Sequence, residues 1–207
     1  MKLRILLVGA SGTLGQAIKA ELAPRHDIIT AGRSSGDIRL DIADAKSIVA
    51  GLAKAGALDA VICAAGHVTF APLEDFKPAN IGESLHTLGI NDKLLGQINL
   101  ALAARDVLKP GGSVTLITGI LSEQFIASGS SASLVNNAIE GFVRAAAIEM
   151  KNGLRINAVS PSVFVESMPK YGAFFRGFEP VPVARAALAF SRSVEGLETG
   201  HVTPLQI

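Results

Sequence analysis

Leu3-Arg4-Ile5-Leu6-Leu7-Val8, followed without interruption by Gly9-Ala10-Ser11-Gly12-Thr13-Leu14-Gly15, decides how this chain folds. The near-continuous apolar run from Leu3 to Val8, ended by glycine, predicts a strand buried on both faces, as in parallel sheets. From Gly12 to Leu22 the apolar positions Leu14, Ala17, Ile18 and Leu22 recur at helical spacing, and Pro24 stops the pattern. The glycine run therefore sits between a strand and a helix. Glycines permit the tight turn and the close approach of backbone to a ligand, while the helix start offers unpaired N–H groups and the positive end of its dipole. Gly9, Ser11, Gly12, Thr13, Leu14 and Gly15 are thus expected to form an anion site for a dinucleotide pyrophosphate.

Outward from this unit, strand signals occupy 27–31 and 37–40, a helical stretch 44–55 and a buried strand 59–64. A loop with Pro72 and Pro78 precedes a long helical segment, 84–108, ended by Pro110-Gly111-Gly112. Strand 113–118, helix 131–150, strand 154–160, helix 182–193 and a closing strand at 200–205 complete the pattern. Strands alternating with helices imply a doubly wound α/β fold with a parallel sheet of about seven strands, since parallel neighbours need helical crossovers. The 207 residues fit one domain, 1–207, with no separate substrate domain.

Composition narrows the function. Hydrophobic residues make up 49% and charged residues 18%, and mean hydropathy is +0.40, so the chain is globular rather than disordered. Nineteen Lys plus Arg against 18 Asp plus Glu leave a net charge of +1, which argues against nucleic acid and anionic membranes as partners. The single cysteine, Cys63, makes no internal disulfide, and no Cys/His spacing suggests a metal cage. The apolar N-terminal run is too short for a secretion signal or a membrane span, so a cytoplasmic protein is expected.

Where dinucleotide folds distinguish NAD from NADP, at the end of the second strand, this chain has Gly32-Arg33-Ser34-Ser35 and no acid before Asp37. Arg33 follows Gly15 by 18 positions, near the usual interval, and its guanidinium suits a 2′-phosphate. NADP(H), held by Arg33 and Ser34, is the expected cofactor.

Several separate segments resemble the short-chain dehydrogenase/reductase family. Ala64-Ala65-Gly66 is similar to the end of its Asn-Asn-Ala-Gly signature, and Asp41 stands where the family usually has an adenine-contacting Asp. The segments 138–145 and 155–161 resemble its active-site helix and sixth strand. The resemblance implies a single-domain Rossmann fold with strand order 3-2-1-4-5-6-7. It also implies cofactor contacts from Asp41, Ala64, Ala65, Gly66, Pro161 and Val163. The glycine spacing departs from the commonest family form and resembles that of extended and atypical members. Family members usually work with an Asn, a Ser, a Tyr and a Lys. Aligning 138–145 without gaps puts the Tyr and Lys positions at Ala132 and Asn136 and the Ser position at Gly119. Asn91, 28 positions before Gly119, matches the family's Asn and is the expected catalytic residue, while Asn136 is expected to bond cofactor ribose.

The reading that results is an atypical NADP(H)-dependent oxidoreductase for a small carbonyl or alcohol with a non-standard proton donor. His67, Thr118 and Tyr171 are the candidate donors. The alternative is a non-catalytic NADP(H)-binding sensor or regulatory protein of the same fold. The weakly charged helices at 94–108 and 132–150 predict a homo-oligomer, dimer or tetramer, whose contact includes Leu94, Leu102, Ile139 and Phe142.

Overall fold

In the computed structural model, which describes residues 2–206, seven parallel strands form one sheet in the order β3-β2-β1-β4-β5-β6-β7. They are β1 Arg4–Val8, β2 Asp27–Gly32, β3 Ile38–Arg39, β4 Leu58–Cys63, β5 Leu108–Ile117, β6 Arg155–Pro161 and β7 Val202–Leu205. The helices are α1 Thr13–Leu22, α2 Ala45–Ala55, α3 Gly96–Ala104, α4 Ser130–Glu149, α5 Met168–Tyr171 and α6 Val183–Glu195. This is the doubly wound single-domain fold, in the strand order, that the sequence implied.

The centre of the sheet shows why β1 reads as apolar throughout. Ile5, Leu6 and Leu7 are completely buried between β2 and β4, and their side chains alternate between two cores. Leu6 and Val8 join Ile48 and Leu52 of α2, Leu100 of α3 and Val135, Ile139 and Val143 of α4. Ile5 and Leu7 join Ile18 and Leu22 of α1 and Ala186 and Phe190 of α6 on the opposite face. A third, smaller cluster of Ile120, Leu121, Ala132, Val163 and Phe175 lies under the segment that follows β6.

Three expectations need correction. The long helix expected over 84–108 is instead a run of turns, a π-helix Gly89–Leu95 and then α3. Pro110-Gly111-Gly112 does not separate helix from strand: β5 already starts at Leu108 and takes up the extra residues as a register shift opposite Leu58 and Ala60, with Gly111 at φ +79°. Ile139, expected in a subunit contact, is fully buried in its own chain's core, and Leu94 and Phe142 pack against the same core. Leu102, the fourth residue expected in that contact, is exposed on α3.

The glycine run closes the β1–α1 junction by contact. A Cβ on Gly15 would lie 2.1 Å from Gly9 O, so the first turn of α1 rests directly on the backbone leaving β1. Gly15→Ala should therefore lower the urea midpoint strongly, with a stability loss of roughly 2–4 kcal/mol typical of an overpacked interior, and should displace the phosphate loop. An unchanged midpoint by circular dichroism would show that the junction yields.

Candidate functional site

Two cavities open side by side at the carboxyl ends of the strands, beside the point where the sheet order reverses between β1 and β4. The first, about 310 Å³, follows the glycine loop. Val8, Gly9, Ser11 and Gly12 line it together with Arg33, Ser34 and Asp41, the three side chains expected to select and hold the nucleotide. The second, about 290 Å³, lies under the third apolar cluster and is lined by Leu14, Lys93, Thr118, Gly119, Ala132, Asn136, Pro161, Val163, Phe70, Tyr171 and Phe175 among others. Ala64, Ala65, Gly66 and His67, which follow β4, line both, so the two spaces form one cleft.

The nucleotide half suits an anion. α1 begins at Gly12 with no side-chain cap and no acid in its first turn, whereas Asp44 caps α2 through Lys46 N at 2.9 Å. The uncapped end leaves N–H groups for a ligand. The first acid after β2 is turned away: Asp37 accepts from Thr30 Oγ1 at 2.7 Å and Thr30 N at 2.9 Å. The Thr30 hydroxyl, then its amide, hold the Asp37 carboxyl below the usual carboxylate range. Arg33 is left exposed beside the cavity with no ion-pair partner among the described residues. Thr13 and Gly15 line neither cavity; Gly15 serves the junction instead.

The other half corrects the sequence reading. Asn91, the expected catalytic residue, lies exposed on the π-helix and lines neither cavity. Its neighbours enter the site. Asp92 Oδ2 accepts from His67 N at 3.1 Å and meets His67 Nδ1 at 2.6 Å, at the seam of the cleft. Lys93 points the other way, into the interior, donating from Nζ to Asn136 Oδ1 at 2.8 Å and Thr118 O at 3.1 Å. A π-turn holds more residues per turn than an α-helix, which changes the face each side chain occupies, and such turns recur at functional sites.

The remaining candidates are constrained by these contacts. Asn136 is buried and its amide is engaged, accepting from Lys93 and donating from Nδ2 to Gly119 O at 3.1 Å, so it holds Lys93 in place rather than standing open to ribose as expected. The Thr118 hydroxyl donates to the buried Glu140 Oε1 at 3.0 Å, which disfavours it as a proton donor. His67 is 72% exposed at its side chain. Tyr171 stands in the covering segment against Phe70, with ring centroids 5.7 Å apart, and Lys170 lies over its ring at 4.9 Å.

Lys93 is the residue the sequence reading missed. Burial pushes its pKa down to about 8, only partly opposed by Cys63 and Glu140, and burial likewise pushes the Cys63 thiol up to about 12. A lysine flanked by Asp92 and two leucines reads in sequence as the solvated face of a helix. Gly66, at φ +126°, carries the one legible hint: a Cβ there would lie 2.8 Å from Lys93 Cγ, so that glycine makes room for the lysine stem.

The sign of the lysine's effect on stability follows. Its pKa is lower in the fold, about 8, than its free value of 10.5, so the buried ammonium opposes folding below pH 8 and the penalty fades as pH rises towards 10.5. Lys93→Met should therefore unfold at higher urea than wild type at pH 7, by up to roughly 3 kcal/mol less the two lost hydrogen bonds. The gap should narrow between pH 8 and 10.5. A gap that stays constant over this range would mean that the amine is not desolvated.

With this geometry in hand, the comparisons with known proteins are informative. A family model described as enoyl-(acyl carrier protein) reductase matches residues 13–196. The solved structure of the protein lin1944 from Listeria innocua is 46% identical, with 98% of each chain covered and a TM-score of 0.93. A small-chain dehydrogenase solved in complex with NADPH shares the fold at 23% identity, with 100% of this chain and 97% of that chain covered and a TM-score of 0.86. A short chain dehydrogenase from Mycobacterium smegmatis does so at 19% identity, with 100% and 93% covered and a TM-score of 0.81. No curated protein matches the chain. The cleft at the switch point, the uncapped glycine loop and these likenesses agree: the chain belongs to the short-chain dehydrogenase/reductase family, which uses nicotinamide cofactors.

Proposed function

We propose that this chain is an NADP(H)-dependent oxidoreductase for a small carbonyl or alcohol, acting without the tyrosine proton donor usual in its family. The observation that carries the reading is the continuity of the cleft: a loop suited to pyrophosphate opens through Ala64–His67 into a second cavity of about 290 Å³ whose polar groups converge on Lys93. The residues present fit a dinucleotide, because α1 offers an uncapped N-terminus and Gly9, at φ +85°, leaves no Cβ to meet Ala64 O at 2.7 Å. When bound, the nicotinamide would supply hydride. Arg33 and Ser34 hold the 2′-phosphate, Asp41 faces the adenosine half, and Asn136 keeps Lys93 directed at the cavity. Phe70, Tyr171 and Phe175 exclude water from the substrate. The NADPH found in one structural neighbour supports this choice of cofactor.

One observation favours a second reading, a non-catalytic NADP(H) sensor. Gly119, Ala132 and Asn136, which the ungapped alignment above puts at the family's Ser, Tyr and Lys positions, line the cavity and carry no ionisable group. NADPH binding without turnover across a panel of aldehydes and ketones would decide for the sensor.

The cofactor assignment is checked by fluorescence titration. Wild type should bind NADPH more tightly than NADH, and Arg33→Ala should lose about 10- to 100-fold of that preference, as expected for a charge-assisted contact with phosphate. Equal dissociation constants in wild type would overturn it.

A cytoplasmic homo-oligomer remains part of the proposal; among the described residues no helix is long and apolar enough to cross a membrane. With Ile139 excluded, the contact is placed on the exposed leucines Leu95, Leu102 and Leu134 of the π-helix, α3 and α4. Light scattering at tens of micromolar should report a dimer or tetramer that Leu102→Glu dissociates, because an unpaired charge in an apolar contact costs several kcal/mol. A monomeric wild type would remove the oligomer.

A further inference from the structure

Lys93 is 9% exposed, yet both of its hydrogen-bond partners, Thr118 O and Asn136 Oδ1, are neutral. Among the described residues no carboxylate lies within ion-pair distance of it. The buried acid across the site, Glu140, is committed to Thr118 and Ser160 through Oε1 and to Arg144 through Oε2. An ammonium has three N–H donors, so one remains for whatever occupies the cavity that Lys93 lines. Burying a cation without a counter-charge costs several kcal/mol, and a methionine would fill the same space at no such cost. Groups kept at the expense of stability belong to function.

We infer that Lys93 is the proton donor of this site, its ammonium protonating the oxygen of a carbonyl bound between it and the aromatic wall of Phe70, Tyr171 and Phe175. The inference rests on the oxidoreductase reading above and supplies its missing acid. With hydride that a bound reduced nicotinamide dinucleotide would supply by giving up a ring C–H bond, the carbonyl carbon would gain a C–H bond and the C=O π pair would move onto oxygen. That oxygen takes a proton from Lys93 Nζ, leaving an alcohol, the oxidised cofactor and a neutral amine, which water reprotonates. The chain's own contribution is positional: Gly66 makes room for the stem, Asn136 and Thr118 O fix the head, and the network through Glu140 anchors Thr118 from behind. The substrate class that fits is a small apolar ketone or aldehyde.

The groups that face Lys93 define the pH response. Cys63 acts on it from β4 and Glu140 from α4, His67 and Tyr171 share its cavity from the loop after β4 and the covering segment, and Asp92 is turned away to His67. A lysine poised at about 8 is protonated at neutral pH and still gives up its proton, the compromise a general acid needs. Reduction should accordingly be flat near pH 7 and fall as pH rises through about 8.

The test compares wild type, Lys93→Met, Lys93→Arg, His67→Ala and Tyr171→Phe. For each, NADPH affinity is measured by fluorescence, turnover on a panel of apolar ketones and aldehydes is followed at the nicotinamide absorbance, and the lysine amines are titrated by NMR in cofactor-free protein. Lys93→Met should bind NADPH within about threefold of wild type and lose about 100-fold or more in turnover. The alkaline fall near pH 8 should vanish with it, while His67→Ala and Tyr171→Phe keep that fall. Independently of any substrate, the wild-type spectrum should contain one lysine titrating near 8 that is missing from Lys93→Met. Wild-type turnover unaffected by Lys93→Met, loss of the alkaline fall in Tyr171→Phe instead, or no lysine titrating below 10 in wild type would overturn the inference while leaving the oxidoreductase reading intact. NADPH binding with no turnover on any carbonyl overturns both in favour of the sensor, and absence of NADPH binding removes the cofactor site itself.

Discussion

The structure depends on one steric constraint: three backbone segments meet where β1 ends, with no room for a side chain between them. Gly9 donates from its amide to Ala31 O of β2 at 2.8 Å, and Ala64 at the end of β4 donates to Val8 O at 2.8 Å. Gly15 of α1 rests on the same turn. This contact aligns the ends of β1, β2 and β4 and points the uncapped start of α1 at the cleft. Burial of β1 on both faces holds the junction from beneath, because Leu6 and Leu7 belong to different cores and neither can shift without opening one.

From that junction the second half of the cleft is assembled by elements distant in sequence. Gln97 of α3 clamps the end of β5 through paired bonds of 2.8 Å with Ile117 N and O, which fixes the strand from which Thr118 and Gly119 emerge. The π-helix immediately before α3 then carries Asp92 to the loop after β4 and Lys93 under it. The pairing is economical: the same helical segment that braces the sheet also delivers a cation to the cavity beside it.

Such a cation has a thermodynamic side. Arg33, beside the glycine loop, is exposed, so its charge is screened by solvent. The other half of the cleft holds a buried ammonium with neutral partners, so its electrostatics are little diluted by water and its desolvation penalty lasts as long as the amine stays charged. The two halves of the cleft thus hold cations in opposite settings, Arg33 in solvent and Lys93 in the interior without a counter-charge.

Much of this was legible in the sequence. The apolar run 3–8, the glycines at 9, 12 and 15, and the alternation of strands and helices determined the doubly wound sheet, because local periodicity and steric need are written in adjacent residues. Arg33, Ser34 and Asp41 also lie where sequence reasoning put them, on loops directly following strands. Position along a helix was harder to read. The interval from Gly119 led to Asn91, but a π-helix changes which side of the turn each residue faces, and Asn91 points to solvent. Ile139 looked like surplus apolar surface and is core, since how much of a helix is covered depends on what packs beside it. Lys93 shows the limit most plainly. Its partners lie 25 and 43 positions away, its charge reads as surface, and only the folded chain removes it from water and leaves it without a counter-ion.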